Sequence, residues 1–134
     1  MTNDDNKTRT SIARQLAEDA ARCEAAGVPL NPTLPPGFDD TPNERRPASH
    51  RPWWNRPYVS TYTVETWDAH YGQLAENVQR EWAESGRAGW MAAWPSGIRY
   101  DVRCLDGGAW DRSTSWGSFA TLDEALARIA KRAA

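Results

Sequence analysis

The chain of 134 residues has little cysteine and lysine and no long apolar run. Its two cysteines, Cys23 and Cys104, are too few for a disulfide framework or a four-thiolate metal site. No apolar stretch reaches the roughly 18 residues that cross a membrane, and residues 1–10 are polar rather than an apolar secretory segment. We therefore expect a cytoplasmic protein that makes no membrane contact and carries two buried free thiols.

Histidine is also scarce, which limits the catalytic and metal-binding chemistry that the chain can carry. His50 and His70 are isolated, without a second ligand at the spacing that metal sites use. No Ser-His-Asp or Cys-His order stands out, and Gly107 and Gly108 fit a hairpin turn because no helix follows them directly. We expect a protein that is not an enzyme, and we predict no catalytic residue, no cofactor site and no metal site.

Acidic and basic side chains are nearly balanced, whereas tryptophan is unusually frequent. The 16 basic and 18 acidic side chains give a formal net charge of -2, so no global field drives the chain onto nucleic acid. The eight tryptophans are the anomaly of the composition. Because such large amphipathic rings both fill cores and anchor interfaces, their positions decide their role.

The N-terminal part, residues 1–27, is predicted to hold one amphipathic helix from about Thr10 to Ala26. Its apolar positions recur at helical spacing and are Ile12, Leu16, Ala20 and Cys23. This stripe is thin and rich in alanine, so the helix buries little area by itself. We expect it to dock on the protein's own core, on a partner or on another copy of the chain, which would make a homodimer.

Residues 28–57 carry eight of the nine prolines and show neither helical nor strand periodicity. Since proline removes a backbone donor and restricts the preceding residue to extended conformations, we predict a Pro-rich extended connector. Connections of this length within compact domains tend to be functional or disordered. The connector is therefore a candidate for function.

Residues 58–134 are predicted to form an α+β domain. Alternating side chains from Tyr58 to Val64 indicate a strand, and apolar residues at helical spacing predict a helix from about Thr66 to Ser85. The apolar face of that helix consists of Trp67, Tyr71, Leu74, Ala75, Val78 and Trp82. Its other face is acidic, which fits a solvated surface and could also dock a basic partner.

The C-terminal third is predicted from its turns and its register. Turns at residues 95–97 and 106–108 define a three-stranded antiparallel sheet, whose inward face holds Trp90, Trp94, Trp110 and Trp116. A capping box of Thr121 and Glu124 begins the last helix. We expect two helices to cover this sheet in the order β-α-β-β-β-α, with the strand from Tyr58 adding as a fourth at the edge.

The segment from Arg45 to Tyr58 interleaves arginine with tryptophan, a pattern that anchors in protein pockets or stacks on bases. Adjacent tryptophans in an extended segment point in opposite directions, so only one of them easily reaches its own core. We predict that this segment contacts another protein through Arg46, Arg51, Trp53, Trp54, Arg56 and Tyr58. The leading hypothesis is a small bacterial or phage protein that binds another protein, an inhibitor or accessory factor of a mobile element that resembles anti-CRISPR proteins.

Two other interpretations remain open on the sequence alone. Nucleic acid could bind the same Arg/Trp connector together with Arg99 and Arg103 on the polar face of the sheet. Arg112, which the predicted register places on the apolar face, could join them by reaching out at an edge. Alternatively, Trp53 and Trp54 could simply fix the connector onto the domain while the arginines remain solvated.

Overall fold

The computed structural model of the protein describes residues 3–71 and 79–133, with side chains from 10–71 and 84–132. Its elements are α1 Asn3–Ala26, β1 Tyr58–Thr63, α2 Val64–Tyr71, α3 Gln79–Ala93, β2 Ile98–Cys104, β3 Thr114–Phe119 and α4 Leu122–Ala133. The three strands form one antiparallel sheet in the order β1-β2-β3. The α+β class and the three-stranded antiparallel sheet predicted from the sequence are confirmed.

The identity of the strands differs from the prediction. The strand from Tyr58 is one of the three strands rather than an added fourth. The segment before the turn at residues 95–97, predicted as a strand over 89–94, belongs to helix α3 as far as Ala93, and Trp94 follows directly after the helix. The order in the described residues is therefore β-α-α-β-β-α after α1. Trp90 and Trp94 fit both patterns, because residues four apart also share one face of a helix. The Trp94 N–H donates to the Trp90 carbonyl at 2.9 Å, and the neighbouring alanines favour the helix.

The helix predicted from about Thr66 to Ser85 corresponds to α2 and the first half of α3. Trp67 from its predicted apolar face is buried, and its ring lies 4.7 Å from the ring of Tyr71. Asp68 from the acidic face pairs with Arg87 at 2.8 Å. The predicted face residues Leu74, Ala75 and Val78 lie outside the described residues, as does the side chain of Trp82.

The connection between β2 and β3 is longer than the predicted tight turn. Tyr100 pairs with Phe119 and Cys104 pairs with Thr114, so residues 105–113 form a loop. The predicted register, which placed Trp110 on the inward face of the sheet, is wrong. A bulge after Val102 also shifts the pairing.

The main core lies between one face of the sheet and the helices α1 and α4. Its buried residues are Ile12, Cys23, Val59, Val64, Ile98, Tyr100, Val102, Leu122 and Ala125. Thr121 caps α4, because its Oγ1 accepts a hydrogen bond from the Glu124 N–H at 3.2 Å. Both cysteines are buried and free, as the sequence predicts.

Helix α1 docks on the protein's own core. Ile12 and Cys23 are buried, and Asp19 is completely buried between α1 and β2. The Tyr100 hydroxyl donates to one Asp19 oxygen at 2.5 Å, and the Gln15 amide donates to the other at 2.9 Å. Burial, together with this hydrogen bond to Asp19, raises the pKa of Tyr100 well above its usual range. A homodimer through α1 stays a prediction.

The Pro-rich connector packs on the sheet and on the long loop. Leu30 bridges Val59 in parallel at the β1 edge, and Trp54 bridges Leu105 in the same way. Short 3-10 turns at Asn43–Arg45 and Ala48–Trp53 fold the segment back on itself. A second apolar cluster follows from this packing, with Phe38, Tyr58 and Leu105 buried and Leu34, Trp53 and Trp54 around them. The division of the chain at residues 27 and 57 into separate domains stays a prediction.

Candidate protein-interaction surface

The loop of residues 105–113, named the Trp110 loop, is held at its base by Asp106. One Asp106 oxygen accepts from the Gly108 N–H at 2.9 Å and from the Thr114 hydroxyl at 2.6 Å. The other accepts from the Trp116 indole N–H at 2.9 Å. Burial acts to raise the pKa of Asp106, but these donated hydrogen bonds outweigh it and the pKa lies below its usual value. The carboxylate therefore fixes the start of the loop.

The connector fixes the far side of the same loop. The Thr41 N–H donates to the Asp111 carbonyl at 3.1 Å, and the Asn43 N–H donates to the Trp110 carbonyl at 2.8 Å. The Asn43 side-chain amide adds a bond of 2.7 Å to the Ala109 carbonyl. At the end of the loop, Asp39 accepts from the N–H and the hydroxyl of Ser113, both at 2.8 Å. The loop is thus tied down along its length.

The Trp110 side chain projects from this fixed backbone into solvent. It is 64% exposed, and within the described side chains it is the large apolar residue that stands out at the surface. Its indole N–H donates to a Glu44 oxygen at 3.3 Å, which restricts the orientation of the ring. The result is an aromatic ring that is held in place without being buried.

Charged side chains surround Trp110. Arg112 pairs with Asp111 at 2.9 Å, and the hydrogen bond from Arg112 lowers the pKa of Asp111. Residues 37–46 and 105–113 together carry five acidic side chains and three arginines. A charged rim around an apolar centre is the usual anatomy of a protein interface.

Comparisons with protein-family models, curated proteins and solved structures find no match. The surface must therefore be interpreted from its own geometry.

Four of the six residues predicted to bind a partner are fixed or partly covered by contacts within the chain. Tyr58 is buried, and its hydroxyl donates to Ser113 at 3.0 Å. Burial raises the pKa of Tyr58. Trp53 is half-buried, with its ring edge-on to Phe38 at 6.1 Å, and Trp54 is half-buried beside Leu105. The fourth of them, Arg46, is held by its own hydrogen bonds.

Arg46 braces the connector from the inside. Its Nε donates to the Asn43 side chain at 2.9 Å, and its Nη1 donates to the Phe38 carbonyl at 2.7 Å. The same Nη1 lies 3.1 Å from Nδ1 of the fully buried His50, whose Nε2 lies 3.0 Å from the Pro36 carbonyl. These partners assign the proton to Nε2, because a carbonyl only accepts and a guanidinium only donates. Arg46 thereby positions Asn43, which holds the Trp110 loop.

Arg51 and Arg56, the remaining two of the six predicted residues, are exposed. The guanidinium of Arg56 lies 5.2 Å from the centre of the Trp53 ring. The structure therefore leaves these two arginines accessible and uses the other four residues to build the connector.

The three arginines predicted to bind nucleic acid are each engaged within the chain. Arg99 makes two bonds of 2.9 Å to Asp101. Arg103 pairs with Ser115 in the sheet, and its side chain donates to the Ser113 carbonyl at 2.6 Å. Arg112 pairs with Asp111. Each guanidinium already has an acceptor, which weakens the sheet face as a phosphate-binding surface.

Metal-binding clusters and membrane-spanning helices are both absent from the part of the chain that the structure describes. Among the described side chains, those of residues 10–71 and 84–132, no three His, Cys, Asp or Glu groups come together in a way that could hold a metal ion. No helix among those residues combines the length and apolarity needed to cross a membrane.

Proposed function

We propose that this protein works by binding another protein, with Trp110 as the anchor of the interface. The observation that carries the proposal is the 64% exposure of an indole ring whose backbone is hydrogen-bonded to the connector. Tryptophan is among the residues that most often dominate the free energy of protein association. An exposed tryptophan on a fixed loop meets that description.

The fixed backbone favours binding. A loop that is already ordered loses little conformational entropy when it docks, so more of the contact free energy becomes affinity. Burial of the exposed part of the ring would remove roughly 100–150 Å² from water, which corresponds to about 3 kcal/mol. That contribution is large enough to decide whether a complex forms.

The rim constrains the partner. Asp39, Asp40 and Glu44 are exposed around the base of the loop, whereas Arg112 is neutralised by Asp111. A partner that receives Trp110 needs an apolar pocket of about the size of an indole, bordered by groups that tolerate or attract carboxylates.

The more specific role in the proposal is that of an inhibitor or accessory factor of a mobile element in a bacterium or phage. It is supported by the small size of the chain and by its unusual content of tryptophan. Tryptophan is enriched among the residues that dominate protein interfaces, and a small chain can act by occupying a surface of another protein, as anti-CRISPR proteins do.

Affinity capture with the full chain tests the proposal. The wild-type protein and the variants Trp110→Ala and Trp110→Phe are immobilised and exposed to a lysate of the source cells, and retained proteins are identified by mass spectrometry. We expect one protein to be retained in stoichiometric amount by the wild type and by Trp110→Phe and to be lost with Trp110→Ala. Arg99→Gln is the control that keeps binding, because the contacts of Arg99 are to Asp101 and Tyr62 rather than to the Trp110 loop. Equal retention by wild type and Trp110→Ala would contradict the assignment of Trp110.

A further inference from the structure

A second surface, named the α4 cationic patch, is formed by Arg128, Lys131 and Arg132. The guanidinium groups of Arg128 and Arg132 lie 4.8 and 4.7 Å from the centre of the Trp116 ring. Lys131 is exposed in the same last turn of α4. Two cations therefore stack on one half-buried tryptophan, and a third lies beside Arg132 in the same turn of the helix.

The connector holds one of these cations in place. Arg132 donates to the Asn55 carbonyl at 3.0 Å and to the Asn55 side-chain oxygen at 3.2 Å. Asn55 itself adopts a left-handed conformation, with φ of 59°, and its N–H donates to the Leu105 carbonyl at 2.8 Å. Stacking and hydrogen bonding together order a side chain that is usually mobile at a surface.

The patch is not neutralised within the described side chains. No carboxylate among them lies within ion-pair distance of Arg128, Lys131 or Arg132. Asp106, which accepts a hydrogen bond from Trp116, is engaged through both oxygens with Gly108, Thr114 and Trp116. The outward N–H groups of Arg128 and the Lys131 ammonium thus remain available to a ligand.

Helix electrostatics alone does not explain this arrangement. Basic residues in the last turn complement the partial negative charge at a helix C-terminus. A helix-dipole interaction does not require two cations to stack on one ring. It also does not account for Arg128, which precedes the last turn and whose guanidinium lies over Trp116 instead of extending into water. Two planar cations stacked on one ring are well suited to recognise a planar carboxylate or a phosphate.

We infer that the α4 cationic patch binds an acidic segment of a protein partner. The inference rests on the proposed function in one respect, because it assigns the segment to the same protein that Trp110 anchors. A short acidic segment needs only the patch itself, whereas a nucleic-acid strand would continue across the adjoining surface. That surface is the Trp110 loop, which begins at Asp106 beside Trp116 and lies against the acidic residues 39–44. Repulsion by these carboxylates disfavours a continuous polyanion.

Fluorescence anisotropy with fluorescein-labelled octaglutamate and the full chain tests the inference. Octaglutamine and octathymidylate serve as the uncharged and the phosphate-bearing comparisons. The expected result is saturable binding of octaglutamate that weakens with added salt and is tighter than binding of octathymidylate. Arg128→Gln/Lys131→Gln raises the dissociation constant about tenfold. Arg87→Gln/Arg99→Gln removes the same charge at paired arginines and changes it less than about twofold.

The outcomes separate this inference from the proposed function. Any of three results overturns the inference. Octaglutamate could bind no more tightly than octaglutamine, the two double variants could lose the same affinity for octaglutamate, or octathymidylate could bind more tightly than octaglutamate. Trp110→Ala should bind octaglutamate like wild type, because Trp110 is not part of the patch. The captured protein could instead be lost with Trp110→Ala but bound with full affinity by Arg128→Gln/Lys131→Gln. That result would support the proposed function and contradict the claim that the same partner contacts the α4 cationic patch. A thermal unfolding curve for each double variant confirms that it is folded.

Discussion

The main-chain N–H of Asn43 donates a hydrogen bond of 2.8 Å to the carbonyl oxygen of Trp110. This contact joins the Pro-rich connector to the exposed ring that we assign as the anchor. The connector thus supports the candidate interface. Its prolines favour this packing because they reduce the conformational entropy that the unfolded connector loses on folding.

Asn43→Ala tests that support. The substitution removes the side-chain bonds to Ala109 and Arg46 and leaves their partly buried groups unsatisfied, at a cost of about 1–3 kcal/mol in the free energy of unfolding. Affinity for the captured protein should fall about tenfold, because the loop is less ordered before binding. Urea denaturation and calorimetry measure the two effects. Asn31→Ala, which removes comparable bonds to Thr61, should lower stability and leave affinity unchanged.

Asp106→Asn tests the base of the Trp110 loop. The folded-state pKa of Asp106 is lowered, so its contribution to stability is present above the unfolded pKa of 3.8 and is lost as pH falls through the folded value. We expect the wild type to lose stability in acid, and we expect Asp106→Asn to reduce that loss while costing about 1–2 kcal/mol at neutral pH. Urea midpoints measured between neutral pH and about pH 2.5 decide this. If the variant loses as much stability in acid as the wild type does, Asp106 is not responsible for that loss.

Tyr100→Phe tests the attachment of α1. The variant leaves the buried Asp19 with Gln15 as its remaining side-chain donor, at an expected cost of about 1–3 kcal/mol. Because the folded-state pKa of Tyr100 is raised, its contribution is present below the unfolded pKa of 10.0 and is lost as pH rises above it. Wild-type stability should therefore fall in alkali more steeply than that of Tyr100→Phe. Tyr58, whose pKa is also raised, keeps part of the slope in the variant.

Gly117→Ala tests the bulge that shifts the β3 register. Gly117 has a φ of 128°, and an added Cβ would lie 2.9 Å from the Phe119 ring. We expect a loss of about 2–4 kcal/mol from backbone strain and crowding. Gly89→Ala, in α3 with no atom near the added Cβ, should instead be neutral or stabilise by up to about 1 kcal/mol. Equal effects of the two substitutions in thermal unfolding would contradict the bulge.

Local chemistry in the sequence predicted the features that depend on neighbouring residues. The strand from Tyr58, the Thr121 cap of α4 and the buried cysteines are all present. The strand predicted at residues 89–94 is wrong because Trp90 and Trp94 satisfy both periods, and the pattern alone could not choose between strand and helix.

The candidate site could not be predicted in the same way. Its decisive contacts join Asp39, Asn43 and Glu44 to Ser113, Ala109 and Trp110, which are far apart in the sequence. The turn residues after Leu105 suggested a tight hairpin, and that register buried Trp110. One feature of the sequence did point to this site. A connector as long as residues 28–57 needs a surface to pack on, and a longer β2–β3 loop provides one.

The dissociation constant of the captured protein with Trp110→Ala, measured by calorimetry beside the wild type, is the most direct test of the central claim. The account predicts a loss of about 100-fold, which corresponds to about 3 kcal/mol of buried indole surface, with a free energy of unfolding within about 1 kcal/mol of wild type. Trp110→Phe should recover a large part of that affinity. A dissociation constant for Trp110→Ala within about twofold of wild type would contradict the claim that Trp110 anchors the interface.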